Sequence, residues 1–372
     1  MSRCIAMAGG GTGGHIIPAL AVGRELRARA AVELLWIGPP ASRDRRLVQS
    51  EGIRYHAVPS GKLRRYVSIR NLLDIAKVLG GVVASALILL RTRPVLLFSK
   101  GGFASVPPAI AAWLLGIPVV THECDVTPGL ATRINALLAR QVLVSFPRTR
   151  EALPARIRPR VRVTGNPVRA QIQSADADRG RRWAGAPAGV PLLVVTGGSL
   201  GAGNLDQVVQ GCLDELLRLG FVVHQCGPSF SAPRRAGYRS APFFHEEFPD
   251  LLAAADLVVS RAGANSLAEL ACLGKPAVLV PLPLSSSRGE QIINAALFER
   301  AGAAVVLRQD RLSPATLAGT VRELLGDPER MRAMGASARS LARPEAAGLI
   351  AEVLLGEAGA RGSAASGGSA GR

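Results

Sequence analysis

Aromatic residues are scarce in this chain of 372 residues: three Trp, three Tyr and nine Phe, 4% in all. Stacking platforms for unpaired bases are therefore few, which weighs against a single-strand nucleic-acid binder. Cysteine is scarce too. Cys4, Cys124, Cys212, Cys226 and Cys272 are odd in number and scattered, with no Cys-x-x-Cys. This argues against a disulfide framework or a zinc site and for a reducing cytoplasm. Long apolar runs are missing. The longest uncharged stretch near a helix, Val78–Leu90, has 13 residues, short of the roughly 18 that span a bilayer. The first residues run at once into a strand-like segment, so no signal peptide is expected.

What is present is a globular composition, 48% hydrophobic and 19% charged, with length for two to three domains. The net charge of +18 is unevenly placed. Residues 1–165 hold 24 basic and 8 acidic residues (+16), whereas residues 166–372 hold 21 and 19 (+2). One half thus faces something anionic: nucleic acid, a membrane surface or a phosphorylated substrate.

Short apolar strands alternate with helical stretches. Arg3–Ala8, Glu33–Ile37, Val95–Phe98, Val119–Thr121 and Gln141–Val144 read as strands of a parallel sheet, with a helix over 15–30. The pattern restarts at Pro191–Thr196, with strands at 222–226, 256–260 and 277–280 and helices at 204–219, 265–273 and 289–301. The fold class expected is α/β: two Rossmann-like, doubly wound domains facing across a cleft at the carboxyl ends of their sheets. Residues 1–165 form the first and 166–343 the second, joined near Gly165-Asn166-Pro167. Residues 357–372, almost all Gly, Ala, Ser and Arg, read as a disordered tail.

The motifs lie at strand ends. Gly9, Gly11 and Gly14 satisfy G-x-G-x-x-G between a strand and a helix, the pattern of an anion held at a helix N-terminus. The second strand ends Gly38-Pro39 without the acid that an NAD ribose requires, so a dinucleotide is the weaker reading. His15 leaves this loop as a candidate base. Lys100-Gly101-Gly102-Phe103-Ala104-Ser105 is a second loop, and Thr196 to Asn204 opens the second half in the same way. Ser266 and Glu269 fit either a capping box or a hydroxyl and carboxylate on a nucleotide. Gln291 and Asn294 share one helix face, as a polar surface or as amides suited to sugar hydroxyls. His122-Glu123-Cys124-Asp125 closes a strand with catalytic residue types. Asp176-Ala177-Asp178 reads as solvated surface rather than a metal pair.

In order, Gly10–His15, Gly101-Gly102-Phe103, His122-Glu123, Gly165–Arg169, Gly197-Gly198-Ser199, Arg261–Glu269 and Gln291 with Asn294 resemble the MurG family of glycosyltransferase family 28. The resemblance covers about residues 4–350. It implies a GT-B fold, with a helix near 344–356 returning to the first domain. It also implies transfer of N-acetylglucosamine from UDP-N-acetylglucosamine to lipid I, the undecaprenyl-pyrophosphoryl N-acetylmuramoyl pentapeptide, giving lipid II for peptidoglycan. Thr12, Gly13, Gly14, Asp125, Arg169, Ser199, His245, Ser266, Glu269, Gln291 and Asn294 would then meet the donor. Glu269 would take the ribose hydroxyls, Ser199 and Ser266 the phosphates, and backbone near Phe244–His245 the uracil. Gly11, Thr12, Gly13, Gly101, Gly102 and Ser105 would cradle the acceptor pyrophosphate. The family often carries Gln-Asn where this chain has Cys124-Asp125, and Thr where it has Ser266.

The expected reaction inverts the anomeric carbon, with His15 favoured as base over Glu123 and Asp125. Helix N-termini would stabilise the leaving UDP, with no metal and no cofactor. Lys62, Arg64, Arg65 and Arg70, beside Leu72–Leu90 and Trp113, would hold the protein peripherally on the cytoplasmic, anionic face of the membrane. The partners implied are the two substrates, that surface and other cell-wall synthesis proteins, but no nucleic acid. The alternative is a UDP-sugar-dependent lipid glycosyltransferase acting on diacylglycerol.

Overall fold

The computed structural model describes residues 3–11, 13–40, 42–61, 69–197, 203–228 and 230–367. The chain divides into two units, Met1–Val168 with Glu345–Arg372, and Arg169–Pro344.

The first unit is built on seven parallel strands: β1 (Arg3–Ala8), β2 (Val32–Gly38), β3 (Arg54–Ala57), β4 (Leu96–Ser99), β5 (Val119–Glu123), β6 (Gln141–Val144) and β7 (Val161–Val163). Their spatial order is β3-β2-β1-β4-β5-β6-β7. Alternation along β1 sorts the core into two layers. Ile5 and Met7 face one side with Ile16, Leu26, Ile350 and Leu354. Ala6 and Ala8 face the other with Leu89, Ala109 and Ala112, where small side chains admit close helices. The helices are α1 (Gly13–Arg29), α2 (Ser42–Gln49), α3 (Ile69–Thr92), α4 (Val106–Leu114), α5 (Leu130–Leu138) and α6 (Pro147–Glu151).

The second unit has six parallel strands: β8 (Leu192–Thr196), β9 (Phe221–Gln225), β10 (Tyr238–Ala241), β11 (Leu257–Ser260), β12 (Ala277–Leu279) and β13 (Ala304–Val306). Their order is β10-β9-β8-β11-β12-β13, the same winding. Its helices are α7 (Ala170–Gln173), α8 (Ala177–Ala184), α9 (Gly203–Gly211), α10 (Leu213–Leu219), α11 (Phe248–Ala254), α12 (Ala264–Leu273), α13 (Glu290–Arg300), α14 (Pro314–Leu325) and α15 (Pro328–Ser340). In each sheet the strand order reverses at the first strand, between β1 and β4 and between β8 and β11. Ligands of such sheets bind beyond the carboxyl ends at that switch. The three glycine loops of the sequence reading follow β1, β4 and β8, and the Arg261–Glu269 segment follows β11.

Three expectations need correction. The helix expected over 204–219 is two, because Cys212 (φ −120°, ψ 15°) leaves helical geometry between α9 and α10. Second, the tail expected to be disordered from Glu357 is helical to Gly367: a last helix, α16, covers Ala346–Gly367. Glu357 pairs with Arg140 at 3.0 Å and Ala358 is fully buried, contacts that composition does not reveal. Third, the 13-residue apolar stretch belongs to a longer helix. Asp74–Thr92 within α3 is long and apolar enough to cross a membrane by length and composition, with only 17% of its window buried. Ile75, Leu79, Val83, Leu87 and Leu90 form an exposed stripe along α3, and Trp113 and Leu114 at the end of α4 are exposed as well.

Candidate active site

In the first unit the loops after β1 and β4 interlock. Gly11 lies at φ +87°, and a Cβ there would sit 2.6 Å from the Phe103 ring. Gly102 lies at φ +77°, and a Cβ there would sit 2.8 Å from Cδ2 of His15. Each glycine thus makes room for a ring of the opposite loop, in a backbone region that L side chains rarely enter. His15 occupies the first turn of α1, half-buried against Gly102.

Two residues assigned to the acceptor pyrophosphate are used otherwise. The Gly11 NH donates to Oδ2 of buried Asp44, on α2, at 2.7 Å, so it is already committed to a carboxylate. Ser105 is buried; its hydroxyl donates to the Gly102 carbonyl at 2.8 Å and accepts from Nδ2 of Asn135 at 2.8 Å. Asn135 also reaches Oγ of Ser99, at 2.9 Å. Gly11 and Ser105 therefore shape the loops. Sequence reasoning passes over Asp44 and Asn135, which sit in ordinary helical surroundings with no motif around them. Gly13 and Gly14 open α1, Gly101 stands at φ +84° in the second loop, and Thr12 lies outside the described residues.

At the end of β5, Glu123 accepts the Asp125 NH on Oε1 at 3.1 Å and the Gly129 NH on Oε2 at 3.0 Å. A buried carboxylate so engaged builds the turn from 123 to 129. Asp125 is half-buried. Glu123, Cys124 and Asp125 bring ligand-type atoms within 4.8 Å of one another, but Glu123 is spent on the turn and burial pushes the Cys124 thiol up. Beside them His122 is fully buried. Its Nε2 donates to the Gly165 carbonyl at 2.9 Å, and its Nδ1 accepts from the buried Lys100 ammonium at 2.9 Å. Burial, and then the Lys100 charge, drive the His122 pKa well down. Lys100 also reaches Oδ1 of Asn166 at 3.4 Å, which ties the β4 loop to the end of the unit.

In the second unit, Arg169 meets Glu269 in a two-pronged pair, Nε to Oε1 at 2.7 Å and Nη2 to Oε2 at 2.8 Å. Burial opposes the Arg169 cation, but the Glu269 charge and its hydrogen bond together outweigh it and the arginine pKa is raised. The cap of α12 is Gly263, so Ser266 stands inside the first turn and the capping-box reading of Ser266 and Glu269 falls. Ser266 is half-buried. Gln291 is half-buried, and its Oε1 accepts the Leu282 NH at 3.2 Å. Asn294 has no exposed surface, and its amide donates to the Ala262 carbonyl at 3.3 Å. It steadies the turn into α12. His245 is exposed, its ring 4.8 Å from that of Phe243. Ser199 lies outside the described residues. Asp176 caps α8, accepting from the NH groups of Asp178 and Arg179.

Two doubly wound parallel sheets with glycine loops at both switch points are the GT-B architecture. Residues 5–144 match the glycosyltransferase family 28 N-terminal domain, and residues 192–350 its C-terminal domain. The chain belongs to glycosyltransferase family 28. It is 49% identical over 318 residues to the UDP-N-acetylglucosamine–N-acetylmuramyl-(pentapeptide) pyrophosphoryl-undecaprenol N-acetylglucosamine transferase of Treponema pallidum, covering 82% of this chain and 83% of that one. The protein of that name from Treponema denticola is 41% identical over 379 residues, covering 95% and 97%. Among solved structures, MurG of Acinetobacter baumannii aligns with a TM-score of 0.73 at 26% identity, covering 95% and 99%.

Proposed function

We propose that this protein transfers N-acetylglucosamine from UDP-N-acetylglucosamine to the 4-hydroxyl of lipid I, giving lipid II. The observation that carries the reading is the end-to-end likeness to relatives of that name, across both halves of the chain. Nothing in those relatives favours diacylglycerol as acceptor.

The second unit takes the donor, with the Arg169–Glu269 pair at the ribose and the start of α12 at the phosphates. Each Glu269 oxygen keeps a lone pair for a ribose hydroxyl beside its bond to Arg169. The first unit takes the acceptor, whose pyrophosphate meets Gly13, Gly14 and the start of α1. The acceptor hydroxyl attacks the anomeric carbon and UDP leaves. His15 accepts the proton, with Asp125 the second choice, because Glu123 is held by its turn. The leaving diphosphate is stabilised by helix N-termini without a divalent ion.

Membrane association is peripheral and cytoplasmic. The exposed stripe of α3 with Trp113 and Leu114 enters the interface, while exposed Lys77, Arg91 and Arg93 meet anionic headgroups. Lys62, Arg64 and Arg65 lie outside the described residues, as does the side chain of Arg70.

The test is transfer from labelled UDP-N-acetylglucosamine to a lipid I analogue, with and without EDTA. UDP-glucose and diacylglycerol serve as controls. A β-1,4-linked disaccharide on the analogue alone, undiminished by EDTA, supports the reading. Transfer to diacylglycerol alone overturns the acceptor, and loss in EDTA overturns the metal-free step.

A further inference from the structure

The amino end of the second sheet, opposite the end that carries the loops described above, opens onto a cavity of about 680 Å³, the size of a small-ligand site. Pro191, Asp256 and Pro276 line it, each the residue before a strand (β8, β11 and β12). On another side stands α15. A Cβ at Gly335 of that helix would sit 2.7 Å from the Gly274 carbonyl oxygen, so α15 rests directly on the turn that follows α12. Every residue lining the cavity belongs to the second unit.

Charge sets this cavity apart. Among the described residues Arg181, Lys275, Arg332 and Arg339 line it against one acid, Asp256, a balance of +3. Residues 166–372 as a whole carry only +2. Composition therefore does not account for the concentration of charge here. Asp256 is already engaged: its Oδ2 accepts Arg181 at 3.0 Å and the Leu192 NH at 2.7 Å. The Lys275 ammonium donates to the carbonyls of Ala253 and Ala255, at 2.5 and 2.9 Å, which carry no net charge to balance it. Burial lowers the Lys275 pKa; Asp256 opposes this, and the charges of Arg339 and Arg181 lower it further.

Arg332 and Arg339 stand seven residues apart on one face of α15. Nε of Arg332 donates to the Pro328 carbonyl at 3.2 Å, and Nη2 of Arg339 to the Leu273 carbonyl at 3.3 Å. Among the described residues, both Nη groups of Arg332 and Nε and Nη1 of Arg339 have no hydrogen-bond partner. Guanidinium forks match phosphate oxygens, and a cleft lined by one sign of charge concentrates the opposite one. Val190, Leu325 and Met331 add apolar surface beside these cations.

We propose that this cavity is an anion site separate from the active site, for a small organic phosphate. Its dianionic group meets Arg332, Arg339 and Lys275, and its carbon body lies against Val190, Leu325 and Met331. The site lies at the amino ends of the strands, so it does not depend on what their carboxyl ends bind.

The probes are phenyl phosphate and, as the head group alone, inorganic phosphate. Each is titrated by calorimetry into the full chain with UDP in excess, which occupies a donor site. Arg332→Gln with Arg339→Gln removes two exposed charges and keeps good helix formers. Arg300→Gln with Arg311→Gln removes two exposed charges outside the cavity. Wild-type protein is expected to bind phenyl phosphate more tightly than phosphate. The cavity variant is expected to bind it at least about tenfold more weakly, as loss of charge-assisted bonds implies, and the control variant as wild type does. Arg332→Gln alone repeats the test if the double variant melts early, with a smaller loss. No binding by wild-type protein, undiminished binding by the cavity variant, or equal weakening in both variants overturns the site. Equal affinity for the two probes overturns the apolar contact. Binding of polyglutamate but not of phenyl phosphate overturns the small ligand in favour of an acidic protein segment.

Discussion

Arg169 and Glu269 are 100 residues apart in sequence and joined by two parallel hydrogen bonds of 2.7 and 2.8 Å. The pair ties the first residue of the second unit to α12, the helix that leaves the switch point of its sheet. Breaking it by Glu269→Gln leaves a half-buried guanidinium without its counter-charge, at a cost of about 1–3 kcal/mol. The expected outcome is a lower melting temperature and a raised donor KM. Arg169→Lys is expected to lose most of the effect too, since an ammonium cannot make both bonds. Melting curves with and without UDP check both.

His15→Ala is expected to lower kcat by about 10²–10⁴-fold, the range of a lost general base. UDP affinity should stay within about threefold, because His15 belongs to the first unit. Single-turnover rates beside calorimetry decide it, and wild-type turnover would sink the assignment.

His122 makes stability depend on pH. Its folded pKa lies well below the ordinary value of 6.5, so the unfolded chain binds more protons in the window beneath that value. Its contribution is complete above about pH 6.5 and is lost as pH falls, by at most about 1.4 kcal/mol per unit. Denaturant melts between pH 8 and 5 should show this slope. His122→Gln should flatten it, and an unchanged slope would refute the assignment.

Leu79→Glu with Val83→Glu changes two exposed side chains of α3 and should leave the melting temperature nearly unchanged. Binding to anionic vesicles should fall at least about tenfold, while turnover on a water-soluble acceptor analogue stays at the wild-type rate. Sedimentation with vesicles measures the first and a coupled assay the second. Equal vesicle binding by the variant would move the membrane contact elsewhere.

Much of this site is local in origin. A strand, a glycine loop and a helix within twenty residues are set by neighbouring residues, so the glycine loops and the two-domain α/β fold are legible from spacing. Gln291 and Ser266 come from the same kind of motif. What the motifs do not reveal is who is already spoken for. Gly11 and Ser105 look like ligand groups in a string of letters, yet Asp44 takes the NH of one and Asn135 and Gly102 the hydroxyl of the other.

By itself the sequence determined the class: the alternation of short apolar strands with helices, the repeated glycine loops, and the charge gathered in the first half. Those follow from local periodicity and composition. Only the tertiary structure decided the partners: Arg169 with Glu269, Lys100 with His122, and His224 between Asp206 and Tyr238. The α3 stripe was decided there too, because exposure depends on what packs against a helix. Hydrogen bonds and burial join residues tens of positions apart through the order of strands in a sheet, and no local pattern encodes that order.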